Sequence, residues 1–376
     1  MNTTTSTVRD ATTNLGLLSH LLLNPVFFSA ASGDGDGSNS LAPQPGDMTE
    51  ADGDLEELRK LSITNHVIVR AFEPLQQILA RAGKKAEAEW VADALRAERA
   101  RIQHALDFLG GICGALEESR CPAIVIKSLD HWPDLGSDLD LYTDAKASRI
   151  VDVMRKRFGA TVADRSWGDR LANKWNFVVP GLPELVEVHV GRLGQTGEQT
   201  ILTRSLSART RTVMIDQRSF RVAAPEDRIV ISTLQRMYRH FYIRLCDVVD
   251  NAFLLDSHAV DFGYLHSLGQ SAGIWQGIST YLTIVSEYVE AYRGYGCPLP
   301  AMVTRSAQFS TEKVRFRRDF LRVPIVPQSL NLYARELTTL LLRGELRNTL
   351  RLSLLPGLAT AAALEQKITG SDKGIW

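Results

Sequence analysis

Asp138 and Asp140 are separated by one apolar residue, Leu139, and followed by another, Leu141. In an extended strand successive side chains alternate faces, so both carboxylates point one way while the leucines face a core. Carboxylates held side by side in a poorly solvated site repel each other, and a divalent cation removes that repulsion. Held on a metal, such a pair can polarise phosphate oxygens and activate a hydroxyl. Upstream, Ile126-Lys127-Ser128 ends a short β-branched run, and nine residues separate Ser128 from Asp138. Downstream, Leu185 to Val190 alternates again, with Glu187 and His189 on one face and Val186, Val188 and Val190 on the other.

The elements that must position these groups follow from periodicity. Ala123 to Ile126 and Asp138 to Tyr142 read as strands joined by a short turn or helix. Ala145 to Phe158 is an amphipathic helix with Ile150, Val151, Met154 and Phe158 on one side. Thr161 to Ala163, Trp175 to Val179 and Leu185 to Val190 are further strands, the last two parted by Pro180-Gly181, and a hairpin lies within Thr212 to Val222. Leu55 to Ala82 and Lys84 to Leu116 are helical, with Gly83 between them. Ala224-Pro225-Glu226-Asp227 opens a helix expected to run, straight or kinked, to Leu255, with more helix near 275–294 and, past Pro324 and Pro327, near 330–364. The expected class is α+β with an α/β-like core: a small mixed sheet flanked by N- and C-terminal helical regions. Residues 1–54 form a low-complexity, disordered tail, 55–118 an N-terminal helical region, 119–223 the sheet-bearing core and 224–376 a C-terminal helical region.

Composition narrows the function classes. The chain has 376 residues, 44% hydrophobic and 23% charged, which is enough to bury a core. Zero formal net charge argues against a whole-molecule nucleic-acid binder. Charge is uneven, however: residues 33–57 carry eight acids and no base, and 301–351 carry ten bases against four acids. The four cysteines include no Cys-x-x-Cys pair, which fits reduced thiols in the cytoplasm rather than zinc or a disulfide framework. No apolar run has the length of a membrane span, so no stable membrane association is expected. Leu15 to Ala31 ends in small residues, but Arg9 balanced by Asp10 is a poor export signal, and the stretch reads as a short amphipathic helix with a loose tail.

The order strand, small residue, short helix, then Asp-x-Asp strand resembles the nucleotidyltransferase superfamily typified by DNA polymerase beta. The set Ile126-Lys127, Asp138 and Asp140, Glu187 and His189, Pro225-Glu226-Asp227, and Arg244 with Asp247 or Asp250 is similar to an uncharacterised bacterial nucleotidyltransferase family of that superfamily, over roughly residues 60 to 255. Lys127 stands where the superfamily has its first Gly. The resemblance implies transfer of an NMP group from an NTP to a hydroxyl on an unidentified acceptor, a small molecule, RNA or protein. It implies two Mg²⁺ ions on Asp138 and Asp140, with Glu187 completing the metal shell or acting as base. Lys127, Ser128 and His189 are then nucleotide-binding residues.

Other readings stand beside this one. A nucleotidyltransferase fold kept as a non-catalytic binding module is the main alternative, and an Asp-x-Asp glycosyltransferase the lesser one. A haloacid-dehalogenase-type phosphatase is disfavoured because Tyr142 fills the position that needs Thr or Val. Lys174 reads as surface charge, and Arg244 with Asp247 as a helical ion pair. The cluster Arg315, Arg317 and Arg318 with Phe316 and Phe320 reads as a basic face, with RNA contact as the sharper alternative.

Overall fold

A computed structural model of the chain describes residues 14–24, 55–317 and 319–357. The N-terminal helices are α1 (Asn14–Leu23), α2 (Leu55–Thr64), α3 (Ile68–Arg81) and α4 (Lys85–Glu118). Val91, Leu95, Ile102, Leu106 and Leu109 of α4 are buried, as their spacing demands. Gly83 makes the turn before α4 at φ +75, a conformation that side chains with a Cβ resist. Within the tail read as disordered, the short helix expected from Leu15 onward is α1, whose Leu18, Leu21 and Leu22 are buried and whose Ser19 hydroxyl meets the Tyr288 hydroxyl at 2.7 Å. An apolar helix with a partner surface folds, whatever the composition beside it. Residues 1–13 and 25–54, the rest of that expected tail, lie outside the described residues.

Next come β1 (Ile124–Val125), β2 (Asp138–Thr143), α5 (Ala147–Phe158), β3 (Thr161–Val162), α6 (Trp167–Leu171), β4 (Lys174–Val178), β5 (Leu185–Val190), α7 (Thr200–Ala208), β6 (Thr210–Ile215) and β7 (Arg218–Ala223). The seven strands form one sheet in the order β3-β4-β5-β2-β1-β7-β6. The β2–β5 and β1–β7 pairs are parallel and the rest antiparallel, so the sheet is mixed. Leu139, Leu141, Val186 and Val188 are fully buried on one face. The register sets Asp140 opposite Glu187 and Tyr142 opposite His189 across β2–β5, and Lys174 opposite His189 across β4–β5. The expected strands all exist, within a residue or two of their reading.

The helix expected from Pro225 to Leu255 does not run through. It divides into α8 (Pro225–Thr233), a wide π-helical turn (Leu234–His240), β8 (Tyr242–Ile243) and α9 (Leu245–Asp256). The break is Phe241, which takes φ 54 in the left-handed region and ends helical propagation. The remaining elements are α10 (Phe262–Ala272), α11 (Trp275–Arg293), α12 (Ala301–Ser306), β9 (Arg315–Arg317), β10 (Phe320–Arg322), α13 (Leu330–Leu342) and α14 (Leu346–Ser353). Gly344, at φ 71, divides α13 from α14. β8, β10 and β9 form a second, three-stranded antiparallel sheet. One continuous apolar core runs from Leu15 to Leu332 and joins the helical regions to the large sheet. The class is therefore α+β, a mixed sheet with helices at both ends. Among the described residues no helix is long and apolar enough to cross a membrane.

Candidate functional site

Strand alternation places Asp138, Asp140, Glu187 and His189 on the face of the large sheet opposite its packed leucines and valines. A cavity of about 200 Å³ opens over that face. Asp138, Asp140, Glu187, Lys127 and Ser128 line it, together with Lys174 from β4, His66 and His131 from outside the sheet, and Gln235, Arg236, Arg239, His240, Tyr242 and Arg244 from the C-terminal region. Lys127, Ser128, Asp138, Asp140 and Glu187 therefore share one pocket. His189 is in hydrogen-bond contact with Glu187 but lines a smaller neighbouring cavity.

Lys127 and Ser128 owe their positions to an unusual turn. Lys127 has φ 62 and ψ −59, and the Ser128 amide donates to the Ile126 carbonyl at 2.7 Å. That is a three-residue γ-turn with positive φ, a strained conformation for a residue with a Cβ. A glycine would adopt it without that strain. The turn sends the Lys127 ammonium onto Asp140, in close contact, and to 3.5 Å from Glu187. It leaves the Ser128 hydroxyl beneath β2, where it accepts from the Asp140 amide at 2.7 Å and donates to the Asp138 carbonyl at 3.1 Å. Ser128, expected at the phosphates, thus fastens the backbone that carries both aspartates, because its hydroxyl already has both partners.

Glu187 is the centre of the charge network. It pairs with Lys174 at 2.7 Å and accepts from His189 Nε2 at 2.8 Å. Burial pushes its carboxyl up, but Lys127, the His189 hydrogen bond and Lys174 outweigh it and hold it well below the usual range. Asp140, 8% exposed, goes the other way. Burial first, and the charge of Glu187, raise it to about 8 against the pull of Lys127. Burial and Glu187 also raise Asp138, whose carboxylate has no hydrogen-bond or ion-pair partner among the described residues. Burial lowers His189 to about 4, so its ring is neutral near pH 7. Lys174, read as surface charge, is only 6% exposed and joins Glu187 to Asp169 at 3.0 Å. The antiparallel β4–β5 register turns it to the carboxylate face, a non-local fact that sequence spacing does not carry.

Opposite the carboxylates stands a cationic wall that sequence reading missed. The π-helical segment Leu234–His240 brings Gln235, Arg236, Arg239 and His240 to the pocket. Arg236 pairs with Asp247 at 2.7 Å. Arg244 does not: Asp247 accepts only its backbone amide, at 2.8 Å, and its guanidinium donates to His66 Nε2 at 2.6 Å. Arg239 and Arg244 have no carboxylate partner among the described residues. Burial and Arg244 keep His66 well below its ordinary value, so its ring is neutral and able to accept. Asp250, one of the acids in the resemblance set, is in close contact with His131 Nδ1.

One ligand atom each from Asp140, Glu187 and His189 lies within 4.8 Å of the others. Carboxylate oxygens with an imidazole suit a hard divalent cation. The open Asp138 carboxylate adds a further oxygen donor beside them, so the donor set fits one such ion provided the Lys127 ammonium gives way. No family model matches the chain, and no curated protein matches it either.

Proposed function

We propose that the chain is a metal-dependent nucleotidyltransferase, moving an NMP group from an NTP to an acceptor hydroxyl. The observation that carries this reading is the meeting, in the lining of one small cavity, of three carboxylates and two arginines without carboxylate partners among the described residues. The carboxylates suit a divalent cation, and guanidiniums without a carboxylate partner suit phosphate oxygens.

Asp138, Asp140 and Glu187 would hold the ion. When bound, it neutralises phosphate charge and lowers the pKa of a coordinated hydroxyl. Arg239 and Arg244 bind the β- and γ-phosphates and offset the charge that develops on the leaving pyrophosphate. Lys127, released from Asp140, follows its positive charge to the triphosphate. Its place between Asp140 and Glu187 favours one ion and a lysine over the two Mg²⁺ ions expected from the resemblance. Glu187, kept ionised by Lys174 and His189, is an anchor and a poor base. Asp138, unpartnered and raised, is the better proton acceptor. The acceptor oxygen bonds to the α-phosphorus as the bond from that phosphorus to the β-phosphate bridging oxygen breaks. The hydroxyl proton passes to Asp138 and then to solvent.

The test is incubation with α-labelled NTPs, Mg²⁺ and total cell extract. Label should reach an acceptor with the native chain and not with Asp138→Ala plus Asp140→Ala. Label that survives the double substitution would refute the role given to the pair. One observation favours the non-catalytic reading: Lys127 and Lys174 already neutralise much of the carboxylate charge. NTP binding by calorimetry without transfer to any acceptor would select it.

A further inference from the structure

A second cavity, of about 730 Å³, adjoins the carboxylate pocket, and His240 lines both. We propose, on the basis of the transferase reading, that this cavity is the acceptor subsite. We propose further that it takes a small amphiphile: an anionic group, an apolar body and the hydroxyl that receives the nucleotide.

The first argument is volume. About 200 Å³ over the carboxylates accommodates phosphates and the reacting centre, and an acceptor needs room beyond it. The adjoining space falls in the range of small-molecule sites, roughly 300–1,000 Å³. The dividing wall is thin. The His240 and Tyr242 rings lie 5.5 Å apart between centroids, and Tyr242 stacks on Phe320 at 4.4 Å. His240, lowered to about 2 by burial and then by Arg239, is a neutral ring where the cavities meet, able to hydrogen-bond a hydroxyl without adding charge.

Charge supplies the second argument. Arg315 and Arg322 both line this cavity, and they face each other across the β9–β10 register. Like charges directly opposite on neighbouring strands are destabilising, and an anion between them reverses the sign. Neither arginine has a carboxylate partner among the described residues, since Glu312, the acid on the lining, pairs with Lys313 at 3.8 Å. Arg322 is held in place by the rings beneath it, 5.1 Å from the centroid of Tyr242 and 5.4 Å from that of Phe320.

The third argument is the apolar part of the lining. Val323, Pro324, Ile325 and Val326 line the cavity, and Ile325 and Val326 are 56% and 71% exposed. Adjacent branched apolar side chains left open beside two arginines match a ligand with one charged end and one apolar part. Single-stranded RNA fits less well. Tyr242 and Phe320 cover each other and Arg244 and Arg322 lie over both, which leaves Phe241 as the one phenyl ring on this lining, where a strand of bases needs several rings in succession.

The experiment is calorimetric titration of the full chain, without NTP, using octyl phosphate below its micelle concentration, inorganic phosphate and octyl glucoside. Octyl phosphate should bind saturably, inorganic phosphate at least tenfold more weakly, and octyl glucoside without saturation. Arg315→Ala plus Arg322→Ala should weaken octyl phosphate at least tenfold, and Val326→Glu should do the same with an unchanged circular dichroism spectrum. Asp138→Ala plus Asp140→Ala should leave that binding intact. The proposal is overturned if the native chain does not bind octyl phosphate, if inorganic phosphate binds equally well, or if the arginine and Val326 variants bind like the native chain. Octyl phosphate bound by a chain with no measurable NTP affinity would uphold the ligand class and end the transferase reading alone.

Discussion

Two buried charge clusters stand some residues apart in this chain, and they are built on different principles. The first joins Arg70, Asp134, Asp250 and His131. Asp134 accepts from the Val69 amide at 2.6 Å and from Arg70 Nε at 2.8 Å, while Asp250 takes Arg70 Nη1 at 2.7 Å and His131 in close contact. Burial lowers His131, but Cys246 and Asp250 outweigh it and hold its proton well above the ordinary value. Two anions meet two cations, and every charge has a partner. The second cluster, around Glu187, has three carboxylates against Lys127 and Lys174, with Asp138 unpartnered and Arg239 and Arg244 uncompensated across a cavity. Ion pairs alone therefore do not mark a site. Charges held out of solvent without partners do, since such groups are unfavourable unless a ligand completes them.

Breaking each cluster should give opposite results. Arg70→Ala leaves Asp134 and Asp250 buried without their cation and should cost about 3–5 kcal/mol of stability in urea unfolding. Asp138→Asn removes a carboxylate whose charged form is already disfavoured, so stability should hold or rise, while transfer should fall about 10²–10⁴-fold, as for loss of a positioned base. If Asp138→Asn destabilised the fold as much as Arg70→Ala, the distinction between the two clusters would collapse.

The half of the site on the large sheet was legible because its signals are local. Alternation within Asp138–Tyr142 and Leu185–Val190 determines which face each acid takes, and buried leucines and valines settle which face is core. The other half was not. Lys174 comes to Glu187 through antiparallel pairing of β4 with β5, a register that spacing does not encode. Arg239 and His240 lie in a stretch that reads as ordinary helix, and only the π-helical turn and the left-handed Phe241 bring them to the pocket. Arg244 and Asp247 have the spacing of an ion pair, yet Arg236 takes the carboxylate. His66 and His131 arrive from segments far apart and stack at 5.8 Å, with no motif between them.

Lys127 sharpens the comparison, since it makes the second cluster look half-satisfied. Lys127→Gly should relieve the γ-turn strain, worth roughly 1–3 kcal/mol, while removing the ammonium that faces Asp140 and Glu187. Divalent-ion affinity, read from Mn²⁺ titration by electron paramagnetic resonance, should rise about tenfold with one competing charge gone. NTP affinity should fall if Lys127 transfers to the phosphates. Unchanged affinity for both would reduce Lys127 to a structural counter-ion.

The last test is the pH dependence of the ion site. Asp140 titrates at about 8 in the fold against an ordinary 3.8, chiefly through burial. Between those values the folded chain holds a proton that the unfolded chain has lost. The contribution of Asp140 to stability is thus complete below 3.8 and disappears as pH rises through about 8. A divalent ion needs the ionised carboxylate, so its affinity should climb over the same window and level off above it. Melting without metal should show Tm drifting down toward pH 8, and saturating Mg²⁺ should flatten or reverse the drift. Asp227, raised to about 6 mainly by burial and lying outside the pocket lining, adds a drift of the same sign that ends lower and ignores Mg²⁺. Asp140→Asn should remove only the Mg²⁺-sensitive part; if that part survives, the ion is held by other groups than Asp140.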